Sequence, residues 1–246
     1  MDAIAITLDT DWAPDAAIDH AASILIAHGV RATWFITHAS PAIERLRAHP
    51  ELFEVGIHPN FLPGSSHGTT TAEVLEHCMK LAPEATSMRT HSLHQSTPIF
   101  DLVLSRTPVQ VDASLFLPRA QHLAPVDYQW KGKSLLRVPY NWEDDVEMLR
   151  HAPSWELAPM LALPGLRIFD FHPIHVHLNS ADMAPYEALK RAVPRLNQAA
   201  ATDIAPHANP GVGSGTAFEA LARTLATAGG GVRMRDIQAQ WNAASA

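Results

Sequence analysis

Short apolar segments alternate with amphipathic helical segments along most of this 246-residue chain. "AIAITLD" (3–9) predicts a first strand, and the periodicity of residues 15–28, with Gly29 after them, predicts a helix. Parallel strands need such helical crossovers, so the alternation predicts a parallel sheet. Further strands are predicted in "RATWFITH", "FEVGIHPN", "SMRTHS", "PVQVDASLFL", "SLLRVPY", "GLRIFDFHPIH" and, after a last helix, "GVRMRDI". About seven βα steps without a composition break indicate one α/β barrel, a single domain over residues 1–246.

Charge and composition exclude several function classes. A formal net charge of −7 argues against a nucleic-acid binder, which needs a basic face. No apolar run reaches the roughly 18 residues of a membrane-spanning helix, so the protein is not expected to be an integral membrane protein. The first strand begins so early that no signal peptide is expected, and the single cysteine, Cys78, is typical of a reducing compartment. These features predict a cytoplasmic protein.

Residues 180–215 differ from the rest of the chain. An Ala-rich polar stretch leads into "PHANPGVGSG", and the density of Gly and Pro there predicts a mobile loop. We expect a lid over a site, with a surface insertion of no functional consequence as the alternative.

The polar residues that could carry chemistry follow predicted strands. Asp9 and Asp11 end the first strand, and in a strand such i and i+2 side chains share a face. Two close carboxylates without a cation would strongly raise one pKa. With a divalent cation, one can bind the metal while the other stays free as a general base. A D-x-D phosphohydrolase with Asp9 as nucleophile is the alternative.

Histidines supply the other candidate ligands. His58 follows the third strand, and His67 lies nine residues later across a Gly/Pro/Ser loop that can fold back. With Asp11 they would form a one-carboxylate, two-imidazole set that leaves coordination positions open, as catalytic zinc requires. Zinc is the expected metal, with Co²⁺, Ni²⁺ or Mn²⁺ as alternatives.

A third histidine has the properties of a general acid. His172 ends a hydrophobic strand, and imidazole has an ordinary pKa near neutrality. Pro173 bends the chain directly after it, so His175 and His177 are not expected to share its strand face. The carboxyl ends of parallel barrel strands open on one face, where all these residues can meet.

The motifs "TLDTDW", "ATWFI", "HPN…SSH", "MRTHS", "VDAS", "RVPYNWEDD" and "FDFHPIH" occur in an order that resembles the polysaccharide deacetylase (NodB-homology) family of carbohydrate esterases. More narrowly, the chain is similar to the O-antigen deacetylases of the WbmS type. The resemblance runs from residue 4 to about 178 and includes the C-terminal helix. It implies a distorted, incomplete (β/α)7-type barrel with its catalytic face at the strand C-termini.

The resemblance also implies roles for individual residues. Asp9 would be the base and Asp11 a metal ligand, with His58 and His67 completing the metal set. Arg89 would hold the base in its charged form. His172 would be the acid, oriented by Asp144 or Asp145, with Asp170 as a rival. The usual R-x-P-aromatic motif reads Arg89-Thr90-His91-Ser92 here, which leaves the backbone N–H of Ser92 but no aromatic side chain.

The implied function is metal-dependent hydrolysis of an N-acetyl group, or alternatively an O-acetyl group, on a sugar. The expected substrate is a lipid-linked or nucleotide-linked saccharide of surface-polysaccharide biosynthesis. A barrel that binds saccharide without catalysis is a third hypothesis. The candidate substrate-binding residues are Trp12, Phe61, His91, Ser92, Trp142 and His175.

Overall fold

A computed structural model describes residues 1–245, and most of the predicted strands are present in it. The strands are β1 (Ala3–Asp9), β2 (Ala32–Ile36), β3 (Phe53–Ile57), β4 (Ser87–Met88), β5 (Val111–Phe116), β6 (Val126–Trp130), β7 (Lys133–Tyr140), β8 (Trp142–Glu143) and β9 (Leu166–Phe171). Over the described residues they form one nine-stranded sheet in the order β6-β7-β5-β4-β3-β2-β1-β9-β8. All neighbouring strands are parallel except β6 and β7, which form an antiparallel hairpin that the sequence did not predict.

Helices flank this sheet, most of them on its outer face and the last one on its inner face. They are α1 (Asp15–His28), α2 (Pro41–Arg47), α3 (Thr71–Leu81), α4 (Thr97–Arg106), α5 (Asp144–Met148), α6 (Ala158–Leu161), α7 (Pro173–Leu178), α8 (Ala184–Ala192), α9 (Ala201–Ile204), α10 (Ser214–Thr227) and α11 (Met234–Ser245). Throughout residues 1–245, no helix combines the length and the apolar character that crossing a membrane would require.

The sheet curls back on itself because its two ends are consecutive in the chain. β7 lies near one end and β8 at the other, and only Asn141 separates them. Asn141 donates its backbone N–H to Ile168 O (3.3 Å) and accepts from Ile168 N through Oδ1 (3.1 Å), while its Nδ2 donates to Ala120 O (3.1 Å). Asn141 and an isolated bridge between Leu123 and Gly165, and not a strand ladder, join the two ends. The fold is therefore the distorted, incomplete barrel that the family resemblance implies.

The two faces of the sheet have separate cores. Leu8 and Trp34 belong to the larger core, which packs under the helices, whereas Phe35 and Tyr140 belong to the core on the inner face. Such near-continuous burial is typical of parallel strands, which are covered on both sides. Met234 and Ile237 of α11 pack into this inner core.

The prediction of a final strand in "GVRMRDI" is wrong. Only Val232 makes a bridge, to Ala5, and α11 begins two residues later. The backbone N–H of Met234 donates to Thr33 Oγ1 (3.0 Å), and that of Arg235 donates to a carboxylate oxygen of Glu54 (2.8 Å). These side chains supply the acceptors that the first turn of a helix needs, so tertiary contacts override the local β propensity.

Residues 180–215 contain α8 and α9, with Leu189 and Ile204 buried. The segment is thus anchored in the core at two points. A lid function for it stays a prediction.

Candidate active site

Asp9 and Asp11 both lie close to His58. The chain reaches this arrangement through a turn after β1, and not by continuing the strand. β1 ends at Asp9, and Asp11 and Trp12 then adopt left-handed backbone angles (φ 42° and 56°) that are uncommon for residues other than glycine. Trp12 N donates to Thr37 Oγ1 (2.9 Å), which holds the turn. His58 Nε2 consequently lies 3.1 Å from Asp11 Oδ1 and 3.6 Å from Asp9 Oδ2.

Asp11, His58 and His91 form a group with the dimensions of a metal site. Asp11 Oδ1 lies 3.1 Å from His58 Nε2 and 3.1 Å from His91 Nδ1, and the two nitrogens are 3.3 Å apart. Ligands bound tetrahedrally to zinc at about 2.0–2.1 Å are separated by about 3.3 Å from one another. The three donors therefore fit a divalent cation of this kind.

The environment keeps the Asp11 carboxylate ionised. Burial opposes its charge, but hydrogen bonds to His58 and His91 hold the pKa of Asp11 well below its ordinary value. A carboxylate between two imidazoles is a typical ligand arrangement for catalytic zinc.

His91 reaches this group because of where β4 ends. It lies three residues beyond β4, in a 3₁₀ turn over His91–Leu93, and its N–H donates to Pro59 O (3.0 Å) next to His58. Ser92 and Leu93 have positive φ angles of 52° and 53°, and Ser92 is exposed. The family resemblance predicts only a substrate-binding role for His91. Its place in this group could have been inferred from the third and fourth strands being neighbours in the sheet, since residues that directly follow neighbouring parallel strands lie close together.

His67 does not join the metal group, contrary to the sequence prediction. Its loop does fold back, but its Nε2 lies 2.8 Å from Thr37 O and its Nδ1 accepts from Asn60 N (3.1 Å). Both ring nitrogens are thus engaged in fixing the loop. Burial lowers the pKa of His67 to about 4, so the ring is neutral, as this pairing requires.

Arg89 holds Asp9 from inside the barrel. Its Nη1 donates to Asp9 Oδ1 (3.0 Å) and also contacts Asp170 Oδ1, while Nη2 donates to Thr7 Oγ1 (2.9 Å). The guanidinium is fully buried and stacks on the Tyr140 ring, 4.2 Å from its centroid. Despite burial, the charges of Asp170 and Asp9 raise the pKa of Arg89, so it stays cationic.

Asp170 does not orient His172. It accepts from Thr7 Oγ1 (2.6 Å) and lies on Arg89, and burial raises its pKa above the ordinary value. The rival for the orienting role is therefore part of the Arg89 cluster.

Asp144 is the acid that contacts His172. Its Oδ1 lies 2.8 Å from His172 Nδ1, and its Oδ2 accepts from the His172 backbone N–H (3.1 Å). Burial disfavours the charged imidazole, but the carboxylates of Asp145 and Asp144 raise the pKa of His172 well above its ordinary value. His172 Nε2 faces the metal group, 3.7 Å from Asp11 Oδ2. Asp145 acts on His172 by charge, and its buried Oδ1 has no hydrogen-bond partner.

The candidate substrate-binding residues divide into two sets. Trp12 is half-buried and lies edge-on to His91, with ring centroids 5.3 Å apart. His175 is buried beside His172 and hydrogen-bonds Ser180 Oγ (3.1 Å). Phe61, by contrast, packs against the larger core, and Trp142 is 2% exposed.

Trp142 therefore has no face to offer a sugar. Its ring packs on Phe171 and Phe169, with centroids 4.9 and 6.0 Å away. The prediction that it contacts substrate is contradicted by this burial, because β8 directs the ring into the core.

Comparisons with known proteins identify the family of this chain. A family model described as "WbmS-like: Polysaccharide deacetylase" matches residues 6–190, whereas a search of curated proteins finds no match. A crystal structure from Bordetella bronchiseptica, described as a polysaccharide deacetylase (WbmS) involved in O-antigen biosynthesis, is 35% identical with a TM-score of 0.78, and 90% of each chain is covered.

More distant solved structures include the peptidoglycan deacetylase PdaC from Bacillus subtilis. It is 13% identical, with a TM-score of 0.47 over 99% of this chain and 95% of that one. A family 4 acetyl xylan esterase from Clostridium thermocellum is 14% identical, with a TM-score of 0.39 over 69% and 73%. Scores this low support no conclusion. The family model, however, spans well over half of the chain, and the protein belongs to the WbmS-like polysaccharide deacetylases.

Proposed function

We propose that this protein is a metal-dependent deacetylase that hydrolyses an N-acetyl group on a saccharide precursor of a surface polysaccharide. An O-acetyl substrate is the alternative. The observation that carries the proposal is the convergence of Asp11, His58 and His91 at mutual distances of 3.1–3.3 Å between an Arg-bound aspartate and an Asp-bound histidine. This combination would supply a cation site, a base and an acid within one cluster of side chains.

Asp11, His58 and His91 would hold the metal, with zinc as the expected ion. A divalent cation held there would supply Lewis-acid chemistry to an acyl oxygen and to a water molecule.

Asp9 is the proposed general base. Arg89 binds its Oδ1, so that carboxylate oxygen is oriented away from the group. The other oxygen, Oδ2, faces the metal donors, 3.6 Å from His58 Nε2. Oδ2 is therefore the oxygen placed to accept the proton of an attacking water.

His172 is the proposed general acid. Asp144 accepts from Nδ1, which directs the Nε2 proton towards the pocket. Since the neighbouring carboxylates raise the pKa of His172, it holds that proton at neutral pH. The proton goes to the sugar nitrogen as the C–N bond breaks, while the oxygen of water remains on the acetyl carbon. The products are acetate and the free amino sugar.

The biological role follows by analogy with the Bordetella relative, which is described as involved in O-antigen biosynthesis. We infer that the substrate is a nucleotide-linked or lipid-linked N-acetyl sugar. The predicted cytoplasmic location and the single-domain organisation stay predictions.

The test is acetate release by the metal-loaded protein from nucleotide-linked and undecaprenyl-linked N-acetyl sugars. We expect activity that is lost with a chelator and restored by a divalent cation. Activity only on mature polymer would contradict the precursor assignment. Binding of the same sugars without acetate release would instead favour the non-catalytic saccharide-binding barrel.

A further inference from the structure

The Gly/Pro-rich segment 206–215 is fastened to the end of α7. Asn179 Nδ2 donates to Asn209 O (3.0 Å) and to Gly211 O (2.7 Å), while Asn209 Nδ2 donates back to Asn179 O (3.0 Å). The side chain of each asparagine thus donates a hydrogen bond to the backbone carbonyl of the other. Although the composition of this segment predicts mobility, its last part is fixed by these contacts.

Two glycines bring the start of α10 against α7. A Cβ on Gly213 would lie 2.2 Å from Asn179 O, and one on Gly215 would lie 2.4 Å from Val176 O. Any side chain at either position would push the helices apart. Close backbone approach of this kind is a typical reason for glycine.

Ser214 lies between these two glycines and contacts Asp144, the hydrogen-bond partner of His172. Ser214 is fully buried, and its backbone N–H donates to Ser180 O (2.9 Å). Its Oγ donates to Asp144 Oδ2 (2.7 Å). The serine comes from a part of the chain 70 residues beyond Asp144.

His172 and Ser214 together hydrogen-bond both carboxylate oxygens of Asp144. Oδ1 accepts from His172 Nδ1, and Oδ2 accepts from both the His172 backbone N–H and Ser214 Oγ. Without Ser214, the carboxylate could rotate about its bond to the backbone and still keep one contact to His172. Ser214 is also the first residue of α10, and the amino end of a helix favours a nearby negative charge.

We propose that Ser214 is a positioning residue for the general acid, completing a hydrogen-bonded series Ser214–Asp144–His172. It fixes the Asp144 carboxylate, which in turn fixes the ring orientation of His172 and keeps the proton on Nε2 aimed at the leaving group. The inference rests on the proposed function, because it assigns Ser214 to the acid step of that reaction.

The experiment compares two leaving groups. An amide of an amino sugar needs protonation of its nitrogen as the bond breaks, whereas p-nitrophenyl acetate releases a stable anion without an acid. We expect Ser214→Ala to lower kcat on the N-acetyl sugar by about tenfold with little change in KM. Hydrolysis of p-nitrophenyl acetate should change by less than about twofold.

Thr216→Ala is the matched control. Thr216 Oγ1 accepts from Gly213 N (2.9 Å) and so caps the same turn of α10 without touching Asp144. It should leave both activities near those of the wild type. Ser214→Thr keeps the hydroxyl and should recover most of the lost kcat. An equal loss on both substrates, or none on either, would overturn the proposal.

A second measurement does not depend on activity. In the wild type, the imidazole proton on His172 Nδ1 should give a downfield NMR resonance protected from exchange with water. Ser214→Ala should broaden or shift it, and Thr216→Ala should not. An unchanged resonance in Ser214→Ala contradicts the positioning role. A folded, metal-loaded wild type that releases no acetate from any sugar contradicts the proposed function instead, whatever the resonance shows.

Discussion

The Nδ1 atom of His91 lies 3.1 Å from Oδ1 of Asp11, although 80 residues separate them in the chain. This contact favours His91, and not His67, as the second imidazole of the proposed metal group. We expect His91→Ala to lose most of its bound zinc in elemental analysis of the purified protein. His67→Ala should lose thermal stability, because the ring ties the loop to Thr37 O, but should keep its zinc. Retained zinc in His91→Ala together with its loss in His67→Ala would restore the original prediction.

Asp9 lies beside the metal group without belonging to it. Asp9→Asn should therefore lower acetate release by about 10²–10⁴-fold while the zinc content stays at the wild-type level. Turnover equal to that of the wild type would exclude Asp9 as the base. A Mg²⁺-dependent phosphatase activity, with a phosphorylated Asp9 and no requirement for His58, would identify the D-x-D phosphohydrolase instead.

Arg89 neutralises two buried carboxylates, those of Asp9 and Asp170. Arg89→Leu leaves both without their cation, so the free energy of unfolding should fall by about 3–5 kcal/mol. Adding Asp170→Asn removes one of the two uncompensated charges and should recover part of the loss. Urea denaturation of the single and double variants measures this coupling. Additive effects of the two substitutions would contradict it.

Trp12 and Trp142 should give opposite phenotypes. Trp142 is buried among Phe169 and Phe171, and Trp142→Ala should destabilise the fold by about 3–5 kcal/mol. Trp12 is half-buried beside His91, and Trp12→Ala should raise KM roughly three- to tenfold, equivalent to about 0.5–1.5 kcal/mol of lost stacking. Its melting temperature should change little. A large stability loss in Trp12→Ala with unchanged KM would assign that ring to packing.

Glu54, which lies outside the candidate active site, makes the free energy of unfolding depend on pH. Burial raises its pKa above the ordinary value, even though Ser87, Arg235 and Thr33 hydrogen-bond its carboxylate. The folded chain therefore holds this proton more tightly than the unfolded chain does. The contribution is complete below the ordinary pKa and is lost as pH rises through the raised pKa.

Urea denaturation of the wild type and of Glu54→Gln between pH 4 and pH 8 tests this sign. The unfolding free energy of the wild type minus that of the variant should fall with pH, by at most about 1.4 kcal/mol per pH unit for one proton. Glu219→Gln, at an exposed position on α10, is the control. A difference that rises with pH would contradict the assignment.

Most of the strands and helices could be predicted because hydrophobic periodicity and helix capping act locally. Thr70 and Glu73 form a capping box at the start of α3, and Gly29, which the sequence predicts as the end of a helix, ends α1 with φ 63°. The edge of the sheet that carries Asp9, His58, Arg89 and His172 could likewise be predicted, since parallel strands present their carboxyl ends together.

The positions of His67, α11 and Trp142 could not be predicted, because they depend on contacts between segments that are distant in the sequence. The spacing of His58 and His67 indicated that the loop returns, but only the finished structure shows that Thr37 O and Asn60 N take both ring nitrogens. Helix α11 replaces a predicted strand for the same reason, because Thr33 and Glu54 supply distant acceptors. The burial of Trp142 also depends on β8, a strand of two residues that is too short to give a periodic signal.

The join at Asn141 lies next to only one part of the candidate site. Asp144 follows β8, which begins directly after Asn141 and pairs with β9, whereas Asp11, His58 and His91 follow β1, β3 and β4. Asn141 is hydrogen-bonded to Ile168 of β9 through both its backbone N–H and its side chain, so it fixes where β8 begins. A change at Asn141 would therefore displace Asp144 before it reached Asp11, His58 or His91. The acid that orients His172 is thus the part of the site that depends most directly on how the two ends of the sheet meet.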